Sequence, residues 1–122
     1  MSTEDNKALD RHYIEEVWNQ GHLQVIDELR TVDVAGMYQR IGELRTAFPD
    51  LHVTIETHVA EGDWTVMRCR YRGTHLGPFM GVPPTGKQVA FAGIGMNRYS
   101  EGKSVENWGV QDIHGLLKQL TE

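Results

Sequence analysis

The sequence has one cysteine, Cys69, and therefore cannot close an intramolecular disulfide. A small secreted scaffold held together by cross-links is excluded. It also has no basic run. Twelve Lys and Arg are scattered among seventeen Asp and Glu, for a formal net charge of −5. That balance leaves no electrostatic footprint for nucleic acid or an anionic membrane. No apolar stretch approaches the roughly 20 residues of a membrane span. The opening "MSTEDNKALD" has neither the basic nor the apolar region of a signal peptide. The expected location is the cytoplasm, with neither nucleic acid nor membrane as a partner. Proline is scarce as well, with four residues in 122. Yet three of the four fall in "GTHLGPFMGVPPTGKQVAF", Gly73 to Phe91, together with four glycines. That stretch begins and ends like β-strand, so its middle must be a built loop.

The chain length fits one domain, 1–122, with a single modest core. Ser2 or Thr3 can cap a first helix, whose apolar stripe is Leu9, Tyr13, Ile14, Val17 and Trp18. Gly21 stops it. A short apolar pattern follows at Leu23, Val25, Ile26 and Leu29. A third helix is predicted over Ala35–Phe48, ended by Pro49 and Asp50. The second half alternates with period two. Leu51, Val53 and Ile55 share a face, "EGD" at 61–63 makes a turn, and Thr65, Met67, Cys69 and Tyr71 oppose Trp64, Val66, Arg68 and Arg70. "KQVAFAGIGMNRY" is a long strand whose two interior glycines point to bends or bulges. "SVENWGVQD" is the last strand and "IHGLLKQL" a short C-terminal helix. Helices followed by four hairpin-linked strands give an α+β layout with an antiparallel sheet. A curved sheet wrapped over the N-terminal helices makes a cone with a mouth.

Several segments carry a resemblance: "NKALDRHYIEEVWNQGHLQVIDEL", "AFPDLHVTIE", "VAEGDWTVMRCRYRGTHLGPFMGVPPTGKQVAFAGI" and "ENWGVQDIHGLLKQL". Together they resemble the SnoaL-like polyketide cyclase family of the NTF2-like superfamily over nearly the whole chain. The resemblance implies an α+β cone and a homodimer formed through the outer sheet face. It implies a small apolar ligand and a reaction without metal or cofactor. Between "IDEL" and "AFPD" only "RTVDVAGMYQRIGELRT" stands, shorter than the family usually carries. Either an opening of the cone on that side, which a dimer partner could cover, or a smaller cavity is expected.

Asp112 is the catalytic candidate. It ends the last strand in phase with Trp108 and Val110, so it faces the cone if they do. The resemblance implies an aspartate there acting as acid/base in an aldol ring closure. Desolvation would raise its pKa toward neutrality, which suits that role. The alternative is that Asp112 caps the helix "IHGLLKQL", since aspartate is a preferred N-cap. Tyr13, Trp18, Met67, Tyr71, Phe79, Met80 and Trp108 are the expected pocket wall, with plain core as the alternative for Tyr13, Phe79 and Trp108. His75, beside the Gly/Pro loop, is the second polar candidate, a solvated loop histidine being its alternative. Asn107 and Gln111 fall on the opposite strand face, toward surface or interface. The six histidines show no metal-ligand spacing. Cys69 lacks an identifiable His partner and reads as a small buried hydrophobe. Arg68, Arg70 and Arg72 alternate outward, where they suit a polar dimerising face. A binding module without chemistry, or an assembly domain using that face, remains the alternative to an enzyme.

Overall fold

The computed structural model describes residues 1–122. Helix α1 spans Thr3–Tyr13. Ser2 caps it reciprocally with Asp5: the Asp5 N–H donates to Ser2 Oγ at 3.0 Å, and the Ser2 N–H to Asp5 Oδ2 at 3.1 Å. The rod then runs on as a π-helical stretch, Ile14–Asn19. Two anchors hold this uncommon winding. The Asn19 amide pairs with both backbone groups of Val53, and Arg45 Nη1 donates to the Trp18 carbonyl at 2.6 Å. Helix α2 is Val25–Leu29 and helix α3 is Val34–Ala47.

Four strands follow: β1 His52–Glu61, β2 Trp64–Thr74, β3 Gln88–Ser100 and β4 Lys103–Gln111. They form one antiparallel meander in the order β1-β2-β3-β4. Helix α4, Ile113–Thr121, closes the chain. Its Gln119 amide pairs with both backbone groups of Ala90, beyond the point where β4 ends. The N-terminal rod lies against β1 and β2, and the core fills the concave side. No helix is long and apolar enough to cross a membrane.

The expected bulges are present but not at the β3 glycines. One extra residue, Glu56, sits in β1 between the pairs Ile55↔Cys69 and Thr57↔Arg68. Another, Val105, sits in β4 between Tyr99↔Ser104 and Arg98↔Glu106. Each bulge flips the faces of the residues beyond it. In β1 this turns His58 inward, opposite Met67. In β4 it turns Asn107, Gly109 and Gln111 inward, opposite Asn97, Gly95 and Gly93.

Candidate functional site

The cone encloses a cavity of about 630 Å³, open at one side. Its apolar wall comes from Tyr13, Ile14 and Trp18 on the rod, Met37 and Leu44 on α3, and Met67 and Tyr71 on β2. The cavity exists because the sheet supplies no side chains where it should be filled. Gly95 and Gly109 face each other on the inner surface, and a Cβ at either would meet nothing nearer than 3.7 Å. Gly93 is different. A Cβ there would lie 2.8 Å from Tyr71 Cε1 and 3.0 Å from Gln111 Cγ, so this glycine makes room for the tyrosine. Tyr71 stacks on Phe91 at 4.9 Å and meets the edge of Trp18 at 5.4 Å. Burial pushes its hydroxyl up to about 12. The exposed lining residues are Asp33, Arg40, Glu43, Met80, Ile94, Trp108 and Gly109. Asp33, Arg40 and Glu43 lie between α2 and the end of α3, and they stand at the exposed side of the cavity.

One wall is polar. Asn107 Nδ2 donates to Asn97 Oδ1 at 2.9 Å, and Ser104 Oγ donates to the same oxygen at 2.8 Å. Asn97 Nδ2 then reaches Asp10 Oδ1 at 3.3 Å. Asp10 is fully buried, and its carboxylate also accepts from the Tyr99 hydroxyl at 2.5 Å and bonds His58 Nε2 at 2.7 Å. Burial, then the Asp10 charge, drive the Tyr99 hydroxyl upward. A sealed carboxylate is thus wired to the cavity wall through two asparagines. Elsewhere in the lining, Arg30 Nη1 donates to the Tyr13 hydroxyl at 3.4 Å. Burial raises the Tyr13 hydroxyl pKa, and the Arg30 charge opposes that rise. Asp33 sits in the left-handed region at φ 52 and accepts from Arg40 Nη2 at 2.5 Å. That hydrogen bond holds its carboxyl below the usual carboxylate range.

The structure brings Tyr13, Trp18, Met67, Tyr71 and Phe79 to this cavity, with Met80 at the rim. It does not bring Asp112. That carboxylate accepts the Gly115 N–H at 2.9 Å, is the N-cap of α4, and is exposed outside the cavity. The reason is the Val105 bulge, which reverses the expected phase of β4. Trp108 and Val110 face outward, 64% and 72% exposed, and Trp108 meets the cavity only at its rim. Its Nε1 donates to Glu106 Oε2 at 2.9 Å. Asn107 and Gln111, expected on the surface, take the inner positions instead.

His75 is neither a pocket group nor solvated. It is fully buried and plugs the Gly/Pro loop. The Thr85 N–H donates to its Nδ1 at 3.2 Å, while the backbone closes around it through His75 N–H to the Lys87 carbonyl and Gly86 N–H to the His75 carbonyl. Cys69 is buried on the inner face, and desolvation pushes its thiol up to about 11, which disfavours the thiolate. Arg30, Asp33 and Asn97 had no sequence signal: each is an isolated polar residue beside an apolar pattern. No group of three or more His, Cys, Asp or Glu side chains is arranged to hold a metal.

The family model for SnoaL-like polyketide cyclases matches residues 2–120. A comparison with curated proteins finds no match. Among solved structures, the chain is similar to AclR from Streptomyces galilaeus, proposed to be a hydroxylase. The two share 32% identity and a TM-score of 0.90, over 98% of this chain and 82% of that one. It is also similar to a proposed polyketide cyclase from Acidithiobacillus ferrooxidans, with 28% identity and a TM-score of 0.85, over 98% and 97% of the two chains. IdmH from Streptomyces antibioticus, another proposed polyketide cyclase, shares 28% identity and a TM-score of 0.84, over 96% and 99%.

Proposed function

The chain belongs to the SnoaL-like polyketide cyclase family, and from that premise we propose that it is a cyclase or isomerase acting on a small, mainly apolar carbonyl compound held in the cone. The observation that carries this reading is the cavity of about 630 Å³, apolar on most sides and polar on one. Such a pocket suits a small organic ligand whose oxygen atoms need orienting. The Tyr13 hydroxyl accepts from Arg30, so its own proton is free for a ligand oxygen. On the inner face of β4, Gln111 Nε2 donates to the Tyr71 hydroxyl at 3.4 Å, a second polar pair lining the cavity.

The proton acceptor in this reading is Asp33 rather than Asp112. Asp33 lines the cavity and is ionised at neutral pH, because Arg40 stabilises its charged form. A carboxylate so stabilised is a weak base. It removes a proton only from a carbon already acidified, such as one between two carbonyls. The C–H electron pair becomes an enolate whose oxygen the polar wall receives. The protonated Asp33 then returns the proton to another carbon, or to the alkoxide formed by ring closure. The test is exchange of the central C–H of simple 1,3-dicarbonyl compounds in D₂O, followed by NMR. Asp33→Asn tolerates the left-handed backbone and is expected to lower catalysed exchange about 10²–10⁴-fold, while Asp112→Asn leaves it unchanged. Full exchange in Asp33→Asn, or its loss in Asp112→Asn, would overturn the assignment.

We also propose that the protein pairs with a second copy through the convex sheet face. Two rows of side chains cross that face in register: Val59, Val66, Met96 and Trp108, then Arg68, Ile94 and Val110. Val59, Ile94, Trp108 and Val110 are all more than half exposed. Apolar side chains gathered this densely on a sheet mark an interaction surface. Arg68 meets Glu56 at 3.4 Å at the margin. Wild type is expected to sediment as a dimer, and the double variant Val59→Lys, Val110→Lys as a monomer of 13.9 kDa. A monomeric wild type would refute the proposal.

A further inference from the structure

Arg30 is only 4% exposed, yet none of the ion pairs in the structure includes it. The nearby carboxylate, Asp33, is held by Arg40. The Arg30 charge also acts on Asp33 at longer range, but no carboxylate contacts it, and a guanidinium removed from water without a contacting counter-charge is costly. Its hydrogen bonds are also incomplete. Nε donates to the Val32 carbonyl at 2.9 Å and Nη1 reaches the Tyr13 hydroxyl at 3.4 Å, but Nη2 is buried with no partner. The residue lines the cavity.

Its placement is fixed by the backbone. Arg30 ends α2, where its N–H donates to the Ile26 carbonyl, and the next N–H, of Thr31, donates to the Ser104 carbonyl at 3.0 Å on the edge of β4. The guanidinium carbon lies 5.9 Å from the centre of the Tyr13 ring. The charge is thus held against one wall of a mainly apolar chamber, with an unused donor.

We propose that the ligand of this cavity carries a carboxylate, and that Arg30 is the group that receives it. This rests on the cavity being the binding site, as argued above. Nη1 and Nη2 form a planar fork that matches the two oxygens of a carboxylate. One buried positive charge balances one negative charge. A doubly charged phosphate would need a second free cation, and the other arginine of the lining, Arg40, is already paired. The ligand class is therefore an apolar, ring-sized body with one carboxylate and a carbonyl, entering acid end first toward Arg30. Tyr13, whose hydroxyl already bonds the guanidinium, lies beside the second oxygen.

The test uses two probes of equal shape, 2-naphthoate and 2-naphthamide, titrated at neutral pH by fluorescence or calorimetry. Wild type is expected to prefer the carboxylate by at least about tenfold, since a charge-assisted fork is roughly twice as strong as neutral hydrogen bonds. Arg30→Met removes the charge at similar volume and is expected to abolish that preference while keeping the amide. Arg30→Lys keeps charge without the fork and is expected to retain only part of the preference, which preserves the test if the methionine variant fails to fold. Equal binding of both probes by wild type, or an unchanged preference in the variants, would overturn the inference and leave the cavity reading standing. Failure of wild type to bind either probe would overturn both.

Discussion

Replacing Asp10 by alanine is expected to remove about 3–5 kcal/mol of stability, a large part of the roughly 5–15 kcal/mol that holds a domain of this kind together. The carboxylate is fully buried on α1 and accepts hydrogen bonds from side chains of two strands: Tyr99 and Asn97 on β3, and His58 on β1. Alanine removes the acceptor and leaves those donors in the core, where each pays its desolvation without return. The loss does not stop there. Asn97 is held at one end by Asp10 and at the other by Ser104 and Asn107, so the polar wall of the cavity loses its anchor. Urea unfolding should show a lower midpoint at unchanged slope. Asp10→Asn keeps the volume and part of the bonding, and should cost less than alanine. A cost below about 1 kcal/mol for alanine would mean that the stranded donors find other partners, and that the network is not what joins the rod to the sheet.

The same network shows why the fold was legible in the sequence and much of the site was not. The element pattern rests on periodicity, which is local. The stripe Tyr13, Ile14, Val17 and Trp18 marks the rod, and the alternation Thr65, Met67, Cys69 and Tyr71 marks the inner face of β2. Both predict the observed burial. A bulge breaks that logic, because one unpaired residue exchanges the faces of everything beyond it. Glu56 does so in β1 and brings His58 to Asp10; Val105 does so in β4 and brings Asn107 and Gln111 to the cavity. Nothing in "SVENWGVQD" announces its bulge. Its polarity is also inverted, because the inner face borders a polar wall and the outer face carries exposed Trp108 and Val110. Apolar-inward reasoning therefore put Asp112 in the cavity, when its position after β4 makes it a cap. The β3 glycines misled in a similar way. They are not there to bend the strand: Gly95 leaves volume empty and Gly93 makes room for Tyr71, which only the opposing side chains reveal. Arg30 was silent for another reason: burial of an isolated arginine depends on a tertiary contact, here the edge of β4 beside the end of α2.

Phe48→Ala is expected to be as damaging as the loss of Asp10, at about 3–5 kcal/mol, and to act on the cavity from the other side. Phe48 is fully buried at the end of α3, 5.7 Å from the Phe79 ring and 5.5 Å from the His75 ring. These contacts tie the Gly/Pro loop to the helix. The backbone adds to them: the Leu76 and Gly77 N–H groups both donate to the Ala47 carbonyl, at 2.9 and 3.0 Å. Gly77 permits this approach, because a Cβ there would strike the Thr46 carbonyl. Without the Phe48 ring, His75 and Phe79 lose the surface they pack on, and Phe79 is itself part of the cavity wall. Stability and probe binding should therefore fall together, and amide exchange at Leu76 and Gly77 should quicken. Met80→Ala is the contrast. That side chain is 67% exposed at the rim and should change stability by no more than about 0.5 kcal/mol. If Phe48→Ala left exchange at Leu76 and Gly77 unchanged, the loop would be held by its own closed backbone and the stiffness of Pro83 and Pro84. The aromatic cluster would then be core packing alone, without a part in shaping the cavity.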